Sequence, residues 1–358
     1  MGKPILAAIL SCSGLELTDT EKRIFSAANP LGISLFARNI ESKHQIKKLV
    51  SDIKNVINRD DVIIAVDQEG GRVSRLQKIS RESYVSAELL GQAEIKYSQM
   101  HAELISDEMR SLGLNVNFAP IVEIKQNVQT PALDGRCFSE NTKRIINRAK
   151  VMADTYINMG ICPCIKHIPG HFDMTTDPHL EGFVSEISKE EILRKTKYLS
   201  SFSGYPLAMT SHILLKSIDS KFPVSMSAIC IRELLRKRLG YRGFLISDAI
   251  DMHALKGTIM QRAEQCWNAG IDAVCYCSGQ EDDLKKIAED KHFLTEKSLM
   301  RFSKIKQIFC NKAKTDTQKT REAYKKYFAD KAETEYSYDA TEVLNKMLKK
   351  ERNNKNVS

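Results

Sequence analysis

Ile161–His179 reads ICPCIKHIPGHFDMTTDPH. It opens as an apolar run, which predicts a buried strand over Ile161–Ile165. Lys166, His167, His171, Asp173, Asp177 and His179 follow and are expected in the loop that this strand feeds. A loop at the end of a buried strand is where a rigid scaffold presents its chemistry. Packing alone does not call for so many ionisable groups, so a polar ligand is expected there.

Outward from this stretch, apolar runs alternate with helical segments. Strands are expected at Ile5–Leu10, Gly32–Phe36, Val62–Val66, Leu114–Phe118, Pro206–Met209, Phe244–Ile246 and Ala273–Cys277. Helices are signalled by the capping box Thr18–Glu21 and by Ser42–Gln45 and Ser188–Glu191. Others are expected over Ser86–Leu112, Asn141–Met159, Ser227–Leu239, Met260–Ala269, Glu281–Asp290 and Thr295–Cys310. The strands are runs of Val, Ile and Leu rather than alternating patterns, as in a parallel sheet covered on both faces. About eight βα units predict an α/β fold made of a single TIM-like (β/α)8 barrel, with an open doubly wound sheet as the alternative.

The polar residues bear on that choice. Asp67 follows VIIAV, Asn117 and Glu123 follow LNV, Lys166 and His167 follow ICPCI, Thr210 to His212 follow LAM, and Ser247–Asp248 follow FLI. Each lies at the C-terminal end of its strand, and in a barrel those ends share one rim. Residues 1–311 are therefore expected to form the barrel. Residues 312–358 are expected to form a basic, helical C-terminal extension, with helices over Arg321–Ala332 and Thr341–Lys350.

The chain of 358 residues has a net charge of +9, of which the extension carries 12 Lys/Arg against 8 Asp/Glu. No basic stripe interleaved with aromatics suggests nucleic acid, so solvated surface charge is the simpler reading. Nine cysteines, mostly in apolar runs and without zinc-type CxxC spacing, suggest free thiols in a reducing compartment. The N-terminal MGKPILAAILSC has an apolar run short for a signal peptide and reads as a first strand. No run is long enough to span a bilayer, so neither a membrane nor a nucleic acid is an expected partner, and the cytoplasm is the expected location.

Three motifs carry candidate chemistry. Asp67–Leu76, DQEGGRVSRL, places a carboxylate and arginines at the rim, suited to sugar hydroxyls or a carboxylate ligand, or else to an ion pair of Asp67 with Arg72 or Arg75. Its paired glycines are not a dinucleotide fingerprint. In the central loop, three histidines and two aspartates fit either a metal site or an Asp177–His179 pair that transfers a proton. Ser247–Asp248 is either a nucleophile at a strand end or a helix N-cap.

Taken together, these motifs resemble glycoside hydrolase family 3, over roughly residues 5 to 310. The family pattern KHFPGHG-x4-DSH is similar to Lys166–His179, and SDDLSM to Ser247–Met252. LFARNI (Leu35–Ile40), VDQEGGRV (Val66–Val73), NFAP (Asn117–Pro120), GRCFS (Gly135–Ser139) and AGIDAV (Ala269–Val274) match in order. The resemblance implies a retaining exo-β-N-acetylglucosaminidase with Asp248 as nucleophile and His179 as general acid/base, partnered by Asp177. It implies sugar binding by Asp67, Arg75, Arg136, Lys166 and His167, with no metal and no organic cofactor. The implied substrate is a muropeptide-derived saccharide of the N-acetylglucosamine–anhydro-N-acetylmuramic acid type. A phosphorylase using the same residues, a non-catalytic sugar-binding barrel and a metal-dependent hydrolase are the alternatives. The chain departs from the pattern at Phe172 for glycine, Pro178 for serine, Ala249 for a second aspartate and Glu123 for aspartate.

Overall fold

Eight parallel strands close into a barrel in the computed structural model, which describes residues 3–126, 131–172, 183–311 and 316–331. The strands are β1 (Leu6–Leu10), β2 (Pro30–Leu35), β3 (Ile63–Val66), β4 (Val116–Asn117), β5 (Cys162–Ile168), β6 (Leu207–Thr210), β7 (Phe244–Ala249) and β8 (Ala273–Cys275). Neighbours in sequence are neighbours in space, and β8 closes on β1 through Ala8↔Val274 and Ile9↔Cys275. The N-terminal apolar run is thus a barrel strand. β1 to β6 are buried along their whole length, which is why their sequences open as apolar runs, with polar residues such as Asn117, Lys166 and His167 toward the C-terminal ends.

Helices α1 (Asp19–Ala28), α2 (Lys43–Ile57), α3 (Ala87–Gln92), α4 (Ile95–Ser111), α5 (Thr142–Asn158), α6 (Lys189–Thr196), α7 (Ile259–Ala269), α8 (Glu281–Glu289) and α9 (Glu296–Phe309) accompany the strands. Helix starts follow the capping residues. The Thr18 side chain accepts from the Glu21 amide while Glu21 returns to the Thr18 amide, and Ser42 and Ser188 accept from Gln45 and Glu191. Such caps each contribute about 1 kcal/mol.

Three expectations are corrected. The single helix expected over 86–112 is two, because Ala93 and Glu94 take extended backbone and Glu94 starts α4 anew. The segment before β7 winds as a π-helix over Cys230–Arg238. Lys166 and His167 lie inside β5, which runs through Ile168, not in the loop beyond it. Charged side chains ordinarily end a buried strand, but here a buried carboxylate meets each of them, Glu69 for Lys166 and Glu123 for His167.

Of the extension, α10 (Thr317–Phe328) is helical, and the helix expected over Thr341–Lys350 lies outside the described residues. α10 packs on α4: Tyr327 stacks on Tyr97 with ring centroids 3.7 Å apart, and Tyr324 and Phe328 are buried.

Candidate active site

The C-terminal ends of β3, β5 and β7 and the loop after β4 bring two linked groups of charges together. In the first, Lys166 Nζ lies 2.6 Å from Asp67 Oδ1 and 2.7 Å from Glu69 Oε1. Glu69 also accepts two bonds from one guanidinium, Arg136 Nε at 3.0 Å and Nη2 at 2.8 Å. Asp67, Lys166 and Arg136, all expected from the sequence, therefore form one cluster, and its centre is Glu69. Burial by itself raises the Glu69 pKa, but Arg136 and Lys166 outweigh it and bring the carboxyl down to about 2. The same carboxylates hold the Lys166 ammonium above its ordinary value despite burial.

The approach of the chain to this cluster depends on two glycines. Gly70 and Gly71 have φ of +102° and +55°. A Cβ on Gly70 would meet the Val85 carbonyl oxygen at 2.3 Å and His101 Cε1 at 2.7 Å, so only glycine fits. Arg75 joins the rim through its amide, which donates to the Asp67 carbonyl at 3.3 Å.

In the second group, Glu123 Oε1 bonds His167 Nδ1 at 2.6 Å and His171 Nδ1 at 2.8 Å, and its Oε2 accepts from the His171 amide at 2.7 Å. Burial disfavours the Glu123 charge, but the facing imidazoles outweigh it and the carboxyl is held well below its ordinary range. Burial also disfavours a charged His171, yet Glu123 prevails and the His171 pKa is raised. For His167 burial wins and the pKa is lowered. A neutral His167 with its hydrogen on Nδ1 donates a hydrogen bond to the Glu123 carboxylate and turns the lone pair of Nε2 outward. That nitrogen lies 3.8 Å from Asp248 Oδ2. The gap exceeds a hydrogen bond and suits a hydroxyl that donates to one or both.

Asp248 lies inside β7, not at a helix N-terminus; α7 begins later, capped by Thr258. The N-cap reading of Ser247–Asp248 therefore does not hold. The Asp248 side chain is 19% exposed, and its Oδ1 accepts from the Ala249 amide at 2.7 Å. Burial raises its pKa, but His167, His212 and that amide outweigh it, so the carboxylate is ionised well below neutral pH. His212 steadies the strand end: it bonds the Ala249 carbonyl through Nε2 at 3.0 Å and Ser225 Oγ through Nδ1 at 2.7 Å. An ionised, partly accessible carboxylate fixed at a barrel mouth is suited to attack an electrophilic carbon.

Glu123, His167 and His171 each offer a ligand atom, all within 4.8 Å of one another, and are the cluster among the described residues able to hold a metal ion. Here both Nδ1 atoms bond the carboxylate directly. Asp173, Asp177 and His179 lie outside the described residues. Phe172 is buried in the core against Gly170. Two residues escaped the sequence reading. Glu69 stood within a quoted motif without being singled out, and Glu123 was noted as a rim residue and a departure without a partner. A carboxylate beside paired glycines after a buried strand was the available signal for Glu69.

Residues 8–304 match the family model described as the glycosyl hydrolase family 3 N-terminal domain. A beta-hexosaminidase of Haemophilus influenzae is 29% identical over 311 residues, covering 81% of this chain and 86% of that protein. One from Pasteurella multocida is 27% identical over 333 residues, covering 85% and 89%. Among solved structures, NagZ from Neisseria gonorrhoeae in complex with N-trifluoroacetyl-D-glucosamine superposes with a TM-score of 0.79 at 24% identity, covering 90% of this chain and 97% of that one. That likeness bears on the fold.

Proposed function

The chain belongs to glycosyl hydrolase family 3 and is a glycoside hydrolase, and we propose that it is a retaining exo-β-N-acetylglucosaminidase. The observation that carries this reading is the partly exposed Asp248 carboxylate at the barrel mouth, 3.8 Å from His167, with the Asp67–Glu69–Arg136–Lys166 cluster at strand ends of the same rim. The beta-hexosaminidase relatives support the choice of sugar.

Asp248 attacks the anomeric carbon of a terminal N-acetylglucosamine as the glycosidic bond breaks through an oxocarbenium-like state. The cluster around Lys166 and the outward Nε2 of His167 hold the sugar hydroxyls. His179, with Asp177, protonates the leaving oxygen and then deprotonates the water that releases the sugar from Asp248; the resemblance of Lys166–His179 to the family motif supports this role. Two displacements at one carbon return the starting configuration. The substrate would be a muropeptide-derived saccharide of the N-acetylglucosamine–anhydro-N-acetylmuramic acid type. The cytoplasm is the proposed compartment, supported by nine free cysteines, eight of them buried. No helix among the described residues is long and apolar enough to cross a membrane.

The test is hydrolysis of 4-nitrophenyl N-acetyl-β-D-glucosaminide by wild type and by Asp248→Ala. Nitrophenol release by wild type, lowered about 10⁴-fold in the variant, supports the reading. Equal rates from both, or binding of N-acetylglucosamine without turnover, overturns it in favour of another nucleophile or a sugar-binding barrel.

A further inference from the structure

The first group of charges is not held by the barrel alone. His101, fully buried in α4, bonds the Glu69 carbonyl oxygen through Nε2 at 2.9 Å and the Tyr324 hydroxyl through Nδ1 at 2.8 Å. A carbonyl oxygen only accepts, so Nε2 carries the proton. Burial lowers the His101 pKa to about 4, leaving the ring neutral near pH 7. Nδ1 is then an acceptor, and the hydrogen on the bond to α10 comes from Tyr324. The Val85 amide in turn donates to the Tyr324 oxygen at 3.2 Å.

These hydrogen bonds end on the Glu69 backbone and on Val85, which lies against the glycines that follow Glu69. Val85 is the residue whose carbonyl a Gly70 side chain would strike, and the Gly71 amide donates to Tyr84 at 2.7 Å. On the same stretch, the buried Glu82 pairs with Arg321 at 2.5 Å and Lys325 at 3.4 Å, both on α10. α10 thus grips residues 82–85 from outside, while 84 and 85 pack against Gly70 and Gly71 from within.

We propose that α10 belongs to the active-site apparatus: Tyr324 and His101 are positioning residues that fix the Glu69 backbone, and through its carboxylate the spacing of Arg136 and Lys166. This rests on the sugar-binding reading of that cluster. The hydroxyl of Tyr324 selects the imidazole tautomer that donates to Glu69, and no other residue of α10 reaches His101 by a hydrogen bond among the described residues. Residue 324 lies outside the 8–304 stretch that matches the family model.

The test is Tyr324→Phe in the full chain. The phenyl ring keeps the packing against Phe328 and the hydroxyl alone is lost. With the aryl glucosaminide, KM is expected to rise about three- to tenfold, the scale of one lost buried hydrogen bond, with kcat changed less than twofold. Amide hydrogen exchange over 68–72 is expected to quicken in the same variant. Ile305→Val, buried in α9, serves as a control that lowers stability without touching this chain; it should leave both readouts unchanged. A lower Tm in Tyr324→Phe with KM and exchange at 68–72 as in wild type overturns the proposal. If wild type hydrolyses no glucosaminide, the function reading fails and the exchange measurement alone decides this one.

Discussion

Replacing Glu69 by glutamine keeps the shape of a side chain that is 6% exposed and removes the charge on which two cations depend. In the wild type, Glu69 accepts from Arg136 twice and from Lys166 once, and Asp67 supplies the other carboxylate within reach of Lys166. In the variant, Asp67 alone faces both cations, and the glutamine amide nitrogen must point its own hydrogens at one of them. Removing one partner of a buried ion pair costs about 3–5 kcal/mol. At about 2 °C per kcal/mol for a chain of this size, Tm falls by roughly 6–10 °C at pH 7. The pH dependence gives a second reading. The folded-state pKa of Glu69 is lowered to about 2, against an ordinary value of about 4.3. Its stabilisation is therefore fully present above about pH 4.3 and is lost as pH falls through about 2. The Tm gap between wild type and Glu69→Gln should narrow over that window and nowhere above it. KM for the aryl glucosaminide should rise at least about tenfold, or ~1.4 kcal/mol of binding, because Arg136 and Lys166 lose their common anchor. Scanning calorimetry from about pH 2 to 7, with initial rates on the samples near neutral pH, makes the measurement. A variant within about 2 °C of wild type with unchanged KM would refute the claim that Glu69 organises the site.

The acid limb of kcat/KM should follow His167, whose pKa lies below the ordinary histidine value. Protonation turns Nε2 into a donor facing Asp248 and tethers the nucleophile, so activity rises with pH through a midpoint below about 6.5; an unshifted limb in His167→Asn would assign it to another group. EDTA should leave kcat unchanged, since the hydrogen bonds of Glu123 already engage His167 and His171. Loss of activity restored by one divalent ion would instead make that trio a working metal site. Added phosphate should yield N-acetylglucosamine and no sugar 1-phosphate, checked by product analysis; a phosphate-dependent sugar phosphate would mark a phosphorylase.

The barrel was legible because burial on both faces leaves a simple trace, runs such as VIIAV and ICPCI followed at once by a polar residue. Asp67, Lys166, His167 and Asp248 could be placed at one rim from that trace alone. What pairs with what was not legible. Glu69 meets Arg136 across 67 positions and Glu123 meets His167 across 44, and chain pattern does not encode such non-local contacts. The same limit hides the last three residues of β5: a lysine and a histidine look like a loop until the buried carboxylates opposite them are known. The split between α3 and α4 turns on the extended backbone of Ala93 and Glu94, with neither glycine nor proline to announce it.

The most direct test is to trap the glycosyl-enzyme. Wild type is incubated with a 5-fluoro N-acetylglucosaminyl fluoride, whose electron-poor ring slows release of the covalent ester, and the digest is analysed by mass spectrometry. The account predicts one added sugar on the peptide containing Asp248, lost on standing as activity returns, and none in Asp248→Ala. A sugar on any other residue, or turnover that never leaves a covalent species on the wild type while inverting the anomeric carbon, would contradict it.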